Sequence, residues 1–253
     1  MTTMKMDFTK KNRAKNRVEN VGYMEIKDAA AGGVEMYLYG DIVSSEWDKY
    51  EPEDTCPQEI IDFLSQIDDN ADIALYINSG GGSAVAGIGI YNILKRHKGH
   101  IKGVVDGIAA SIASVILMAC DEITVSAGAQ IMIHKPIGNC WGNADDFAQM
   151  IVLLNQAQQM ITDIYMQKVN DGIEESRITE MINAETWLSG SEAAEIFDFG
   201  VANRGSVAAC VSSCMMDKYK NVPRGFSPES VEDKEVDKAL AAEILEDLDL
   251  YGI

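Results

Sequence analysis

The stretch Ile73-Ala74-Leu75-Tyr76-Ile77-Asn78-Ser79-Gly80-Gly81-Gly82-Ser83 joins a short apolar run to three consecutive glycines. The apolar run predicts a β-strand over 73–77, and the polar and glycine residues after it predict a sharp turn over 78–83. Residues 84–97 then carry apolar side chains at helical spacing. This stretch therefore predicts a strand, a glycine turn and a helix in succession.

The same alternation continues on both sides of this stretch. Apolar runs predict further strands over 34–39, 101–105, 122–125 and 130–133. Helical spacing predicts helices over 57–67, 144–169, 174–182, 189–197 and 236–250. Residues 107–110 are predicted to turn into a further helix that runs to about 119. Strands that alternate with helices are typical of an α/β fold with a largely parallel sheet.

Composition excludes several classes of function. The chain has 253 residues, 47% of them hydrophobic, which is enough for one large core. It carries 21 Lys and Arg against 40 Asp and Glu, a net charge of −19. Because phosphate contacts dominate nucleic-acid affinity, we expect no nucleic-acid partner, and anionic membranes are disfavoured as well. The apolar run 103–120 contains Asp106 and predicts a strand and a buried helix rather than a membrane span.

The two ends of the chain differ in charge. Residues 1–20 hold six basic and two acidic side chains, whereas residues 229–253 hold two basic and nine acidic ones. We predict a flexible basic arm over 1–20, a folded domain over 21–205, and a linker with an acidic tail over 206–253. A short docking arm is the alternative for either end.

Five cysteines form no C-x-x-C pattern, and their number is odd. This predicts neither a disulfide framework nor a metal site. No apolar segment follows the charged N-terminus, so no signal peptide is predicted. We expect a cytoplasmic protein with reduced thiols.

Two residues combine nucleophilic and basic chemistry with strand-end positions. Ser111 follows the predicted strand 101–105 near a helix start, where backbone amides favour developing negative charge. His134 ends the strand 130–133, and the carboxyl ends of parallel strands are where open α/β proteins place reactive groups. Adjacent strand residues point to opposite faces, so only one of His134 and Lys135 can face Ser111. A Ser–Lys pair therefore stays an alternative.

The glycine turn lacks the sequence pattern of a nucleotide-binding loop. It contains neither Gly-Lys-Ser/Thr nor Gly-x-Gly-x-x-Gly. Three glycines can instead present backbone N–H groups to an oxyanion, or pair with an extended peptide.

Four segments in this order resemble the ClpP family of serine peptidases: 75–83, 106–111, 132–136 and 185–200. The resemblance runs from about 34 to 203. It implies a ClpP/crotonase-like spiral of strand-strand-helix units, with residues 137–169 as a protruding strand-plus-helix handle.

The resemblance also implies roles for individual residues. Ser111 matches the nucleophile, His134 the general base, and Glu185 falls where the family usually has Asp. The oxyanion and substrate-binding backbone groups are implied at Gly81, Gly82 and Ile112. No metal and no cofactor is needed for this chemistry.

The resemblance also implies a homo-oligomeric ring, a heptamer or stacked rings, that acts on peptide or protein substrates. A separate AAA+ ATPase is a candidate partner. The extra loop 44–55 and the tail after Arg204 resemble the phage and prophage branch, the head-maturation peptidases, which implies capsid or scaffold protein as substrate. Two alternatives are a non-catalytic ring-forming assembly protein and an acyl-CoA enzyme of the crotonase superfamily.

Overall fold

The computed structural model describes residues 34–202 and 215–223 in full, and the backbone of 3–12 and 17–27. Strands β1 (Thr3–Asn12) and β2 (Arg17–Lys27) pair with each other in an antiparallel hairpin. The prediction of a flexible arm over 1–20 did not include this hairpin, and its boundary falls inside β2. The predicted helix over 236–250 lies outside the described residues.

Within the described residues, the central sheet has seven strands: β3 (Val34–Ile42), β4 (Ile73–Gly82), β5 (Ile101–Ala110), β6 (Glu122–Ser126), β7 (Gln130–Ile133), β8 (Thr186–Ser189) and β9 (Gly200–Ala202). Their order is β3-β4-β5-β6-β9, and β7 pairs with the far end of β5. Every pairing is parallel except that of β7 with β8. This arrangement confirms the predicted α/β class with a largely parallel sheet.

In the part of the chain that the structure describes, six α-helices accompany the sheet: α1 (Pro57–Leu64), α2 (Ala84–Lys95), α3 (Ile112–Leu117), α4 (Ala144–Met166), α5 (Glu175–Ala184) and α6 (Gly190–Ile196). Local sequence explains where several begin. The side chains of Ser83, Asn143 and Ser189 accept hydrogen bonds from amides in the first turns of α2, α4 and α6. Such caps satisfy N–H groups that have no acceptor within the helix.

One face of the sheet is buried against the helices, because alternate residues of β3 and β4 point to it. Met36, Leu38, Leu75 and Ile77 are fully buried there. They share one apolar core with side chains of α1 and α2, among them Ile60, Phe63, Ile90 and Leu94. Alternation of this kind fixes the register of each strand, since a slip of one residue would turn the apolar side chains away from the core.

β4 and β5 are longer than the sequence predicted. The expected turn over 78–83 is instead a strand that continues to Gly82, and the expected turn over 107–110 is strand up to Ala110. The cause is close backbone pairing: β3 shifts register after Tyr39, and Asp41 and Ile42 then pair with Gly81 and Gly82. A glycine-rich run within a sheet thus marks an irregularity and a close approach.

The predicted handle over 137–169 is present as a helix only. Helix α4 covers most of it and exposes large apolar side chains: Phe147, Ile151, Val152, Leu153 and Met160. Residues 134–143, all described, form no strand. The strand half of the handle therefore stays a prediction.

Among the described residues, no helix is both long enough and apolar enough to cross a membrane. The apolar run 103–120 lies in β5 and α3, as expected from its sequence.

Candidate active site

Ser111 lies at the junction of β5 and α3 in an unusual backbone conformation. Its φ is 55° and its ψ is −126°, a region that residues other than glycine rarely adopt. The Ser111 N–H donates to the carbonyl oxygen of Met132 over 2.9 Å, which ties this junction to β7. The bend ends the strand abruptly and presents the hydroxyl at the edge of the sheet.

The Ser111 hydroxyl lies 2.6 Å from Nε2 of His134. Strand pairing brings them together: Ala110 at the end of β5 is paired with Met132 in β7, and each functional residue follows its strand. The structure thus brings together the predicted nucleophile and base, whereas Lys135 is exposed. The contact is of the length expected for proton transfer.

A buried hydroxyl network lies beneath this pair. Ser114 is fully buried, and its Oγ lies 2.6 Å from the carbonyl oxygen of Ser111 and 3.0 Å from that of Met132. The hydroxyl of Tyr165, from α4, lies 2.8 Å from the same Oγ. Ser114 therefore holds the two backbones that carry the nucleophile and the base.

The surroundings of His134 favour the neutral form of its imidazole. Burial lowers the pKa of His134, and the nearby charge of Glu185 opposes this by raising it. Burial has the larger effect, because removing an imidazolium from water is costly. A neutral imidazole is the form that accepts a proton.

Glu185 lies near His134 but is bonded elsewhere. Its Oε1 accepts hydrogen bonds from the backbone N–H groups of Lys220, at 2.6 Å, and Asn221, at 2.7 Å. Within the described part of the chain, neither a hydrogen bond nor an ion pair joins this carboxylate to His134. The assignment of Glu185 as triad acid stays a prediction.

The predicted oxyanion donors adjoin the nucleophile. A Cβ added at Gly81 would come within 2.8 Å of Ser111 Cβ, so the two backbones are in direct contact. The Gly81 N–H donates to Ser79 Oγ over 3.1 Å, and Gly82 follows with a φ of 146°. Ile112 is the first residue of α3, so its N–H has no acceptor within that helix. Their roles stay predictions.

A segment that the sequence analysis assigned to the tail also contributes to the site. The hydroxyl of Tyr219 donates to the carbonyl oxygen of Gly80 over 2.6 Å. Its ring centroid lies 5.2 Å from that of His134 and 6.1 Å from that of Trp187. The one local signal was the apolar pair Met215-Met216 and the tyrosine within an otherwise polar stretch.

The described residues contain no group of three or more His, Cys, Asp or Glu side chains that could hold a metal ion. Cys56 and Cys120 are buried free thiols, and Cys140 is a half-buried one. Burial raises the pKa of Cys120 to about 12, which leaves it protonated and unreactive at neutral pH.

Comparisons with known proteins agree with this geometry. The Clp protease family model matches residues 43–204. A Bacteroides fragilis protein named ATP-dependent Clp protease proteolytic subunit is 31% identical over 136 residues, which are 53% of this chain and 64% of that protein. A protein of the same name from Bacteroides thetaiotaomicron is 30% identical over 136 residues, 53% of this chain and 60% of the relative.

A third protein of that name, from Mesostigma viride, is 29% identical over 145 residues, 56% of this chain and 62% of the relative. The matches span less than two thirds of these relatives' own lengths. The family model, however, covers well over half of this chain and includes Ser111 and His134, so the chain belongs to the Clp protease family.

Proposed function

We propose that this protein is a serine endopeptidase that hydrolyses peptide bonds by acyl transfer. The observation that carries the proposal is the 2.6 Å contact between Ser111 Oγ and His134 Nε2, at the joined ends of β5 and β7. A hydroxyl within hydrogen-bond reach of a neutral imidazole is the arrangement that activates a serine nucleophile. Membership of the Clp protease family supports the same reaction.

The reaction begins when His134 accepts the proton of Ser111 as the serine oxygen attacks the scissile carbonyl. The backbone N–H groups of Gly81, Gly82 and Ile112 are the proposed donors to the tetrahedral oxyanion. His134 then gives its proton to the leaving amine, and water releases the acyl group from Ser111. Glu185, once turned toward His134, would accept from Nδ1 and orient the ring.

The proposed substrates are capsid or scaffold proteins of a phage or prophage, on the basis of sequence resemblance. We also propose that the chain forms a homo-oligomeric ring, a heptamer or stacked rings. The apolar side chains that α4 exposes support this, since large exposed apolar patches mark protein interfaces. A separate AAA+ ATPase is a proposed partner, and the relatives' names describe them as ATP-dependent.

A second candidate function is a ring-forming assembly protein without catalysis. One observation favours it: the carboxylate of Glu185 is bonded to Lys220 and Asn221 rather than to His134. The Ser111–His134 contact favours the peptidase, because a purely structural role would not require it.

Covalent labelling distinguishes these two functions. A serine-directed fluorophosphonate should modify Ser111 in the parent protein and leave Ser111→Ala unmodified, as read by intact-protein mass spectrometry and peptide mapping. Heat-denatured parent protein controls for unspecific modification. If the folded parent is labelled at a serine other than Ser111, the proposed peptidase function is wrong.

The pKa of His134 predicts the pH dependence of the reaction. Burial holds this pKa below its ordinary value of 6.5, and the base works only when neutral, which is above its pKa. The rate of labelling or hydrolysis should therefore rise with pH and reach half of its plateau below pH 6.5. Glu185→Gln removes a charge that raises this pKa, so its midpoint should lie lower still. A midpoint above 6.5 in the parent would contradict the burial argument.

A further inference from the structure

Residues 215–223 pack directly onto the site that we propose to be catalytic. Met216 is 2% exposed and Tyr219 is 7% exposed. They form a small apolar cluster with Ile108, Ala110 and Met132, the strand residues that lead to Ser111 and His134. The segment is therefore anchored by burial of apolar side chains at the ends of β5 and β7.

Tyr219 lies against the glycine run of β4 and beside the base. Its hydroxyl donates to the carbonyl oxygen of Gly80, within the glycine run. The same hydroxyl would lie 3.3 Å from a Cβ at Gly81. Its ring lies edge-on to those of His134 and Trp187. An aromatic side chain from this chain thus fills a niche beside the base.

The same segment engages the predicted triad acid. Two consecutive backbone N–H groups, of Lys220 and Asn221, converge on one carboxylate oxygen of Glu185. The Asn221 side chain adds bonds to the carbonyl oxygens of Ala184 and Glu185. Hydrogen bonds from N–H to a carboxylate are among the stronger ones in proteins, so they compete with a bond to His134.

The segment also forms part of the wall of an open cleft. A cleft of about 410 Å³ lies between Gly82 and Ser83 on one side and Ile137 on the other, and Met215 and Lys218 form part of its wall. A peptide that entered this cleft and ran along the glycine strand would meet Tyr219.

We propose that residues 215–223 form an internal strap that fills an aromatic subsite with Tyr219 and withholds the Glu185 carboxylate from His134. This proposal rests on the proposed peptidase function. The strap makes the enzyme latent, and a peptide with an aromatic side chain is the class of ligand that displaces it. Closed and open forms are in equilibrium, so weakening the strap raises the open fraction.

Two substitutions weaken the strap at different contacts. Tyr219→Ala empties the aromatic subsite. Lys220→Pro removes one N–H that binds Glu185, and the extended backbone of Tyr219, with φ −93° and ψ 147°, suits a residue before proline. Lys220→Ala is the matched control, because it shortens the same side chain and keeps the N–H.

The measurement is the rate constant for fluorophosphonate labelling of Ser111 in the full chain. Tyr219→Ala and Lys220→Pro should each label about tenfold faster than the parent, the gain expected if the open form is about a tenth of the population. Lys220→Ala should label at the parent rate. A synthetic peptide of residues 215–223 should slow labelling of Lys220→Pro, and the same peptide carrying Tyr219→Ala should not.

The labelling experiment distinguishes an incorrect strap proposal from an incorrect peptidase proposal. If the parent is labelled at Ser111 and neither Tyr219→Ala nor Lys220→Pro is faster, the strap proposal is wrong and the peptidase stands. If none of the proteins is labelled, the loosened variants included, both proposals are overturned. If Tyr219→Ala does not fold, the labelling rate of Lys220→Pro alone tests the strap proposal.

Discussion

Replacing His134 with alanine is expected to lower the rate constant for peptide hydrolysis by roughly 10⁴- to 10⁶-fold, the loss typical of removing the base of a serine triad. The reason is the 2.6 Å contact with Ser111: without the imidazole, no described group lies within reach of the serine proton. Turnover of a fluorogenic peptide, measured in both the parent and a Tyr219→Ala background, gives the size of the loss.

His97→Ala is the matched control for this experiment. His97 Nε2 lies 2.7 Å from the carbonyl oxygen of Ala71, at the opposite end of β4 from the site. We expect hydrolysis to be unchanged in this variant.

The double variant Ser111→Ala with His134→Ala should be no slower than either single one, because both residues serve one proton transfer. Losses that multiply, or a His134→Ala variant with a rate near that of the parent, would contradict the mechanism.

The second large effect concerns stability rather than chemistry. Gly82→Ala is expected to lower the free energy of unfolding by about 3 kcal/mol or more, since it combines steric overlap with an unfavourable backbone conformation. A Cβ at this position would overlap the backbone of Ile42 in the paired strand β3, and the φ of Gly82 is 146°. Neither the backbone of Ile42 nor that of residue 82 can move away without breaking the end of the β3–β4 pairing. Urea denaturation measures the loss.

Gly89→Ala controls for the loss of a glycine as such. Gly89 lies within α2, and an added Cβ would meet only Pro57 Cγ, at an ordinary 3.8 Å. Because alanine favours the helix, this variant should be more stable by roughly 0.5 to 1 kcal/mol. If Gly82→Ala also retained full stability, the end of β3 would have to shift at no cost in free energy. That result would contradict the close packing of Ile42 against Gly82.

The Ser111–His134 contact was predictable because it depends on local patterns and on one general property of parallel sheets. Each residue follows an apolar strand, and such strands end on the same edge. The choice between His134 and Lys135 was open in the sequence. Pairing of β7 with β5 decided it, because register determines which of two adjacent residues faces the nucleophile.

The glycine run shows where local patterns mislead. Three glycines after an apolar strand have the composition of a turn, yet β4 continues through them. The reason lies in another strand, β3. The backbone of Ile42 approaches Gly82 so closely that no side chain fits there. The requirement for glycine arises from pairing between distant residues, which the run itself does not reveal.

The surroundings of Glu185 could not be predicted for a similar reason. Its bonds to Lys220 and Asn221, and that of Tyr219 to Gly80, join residues that are 35 to 139 positions apart. Hydrophobic periodicity reports on neighbours along the chain, and residues 215–223 are too short and polar to produce a periodic signal.

The proposed role of Ser111 requires a hydroxyl at a position where the backbone conformation favours glycine. Holding a residue other than glycine at positive φ costs about 1–3 kcal/mol, and glycine would avoid most of that cost. A library of variants selected only for thermal stability would therefore be enriched in glycine at position 111. Such variants would be more stable but would lack the hydroxyl that the proposed reaction requires. Engineering this protein for thermostability therefore requires selection for substrate turnover in every round.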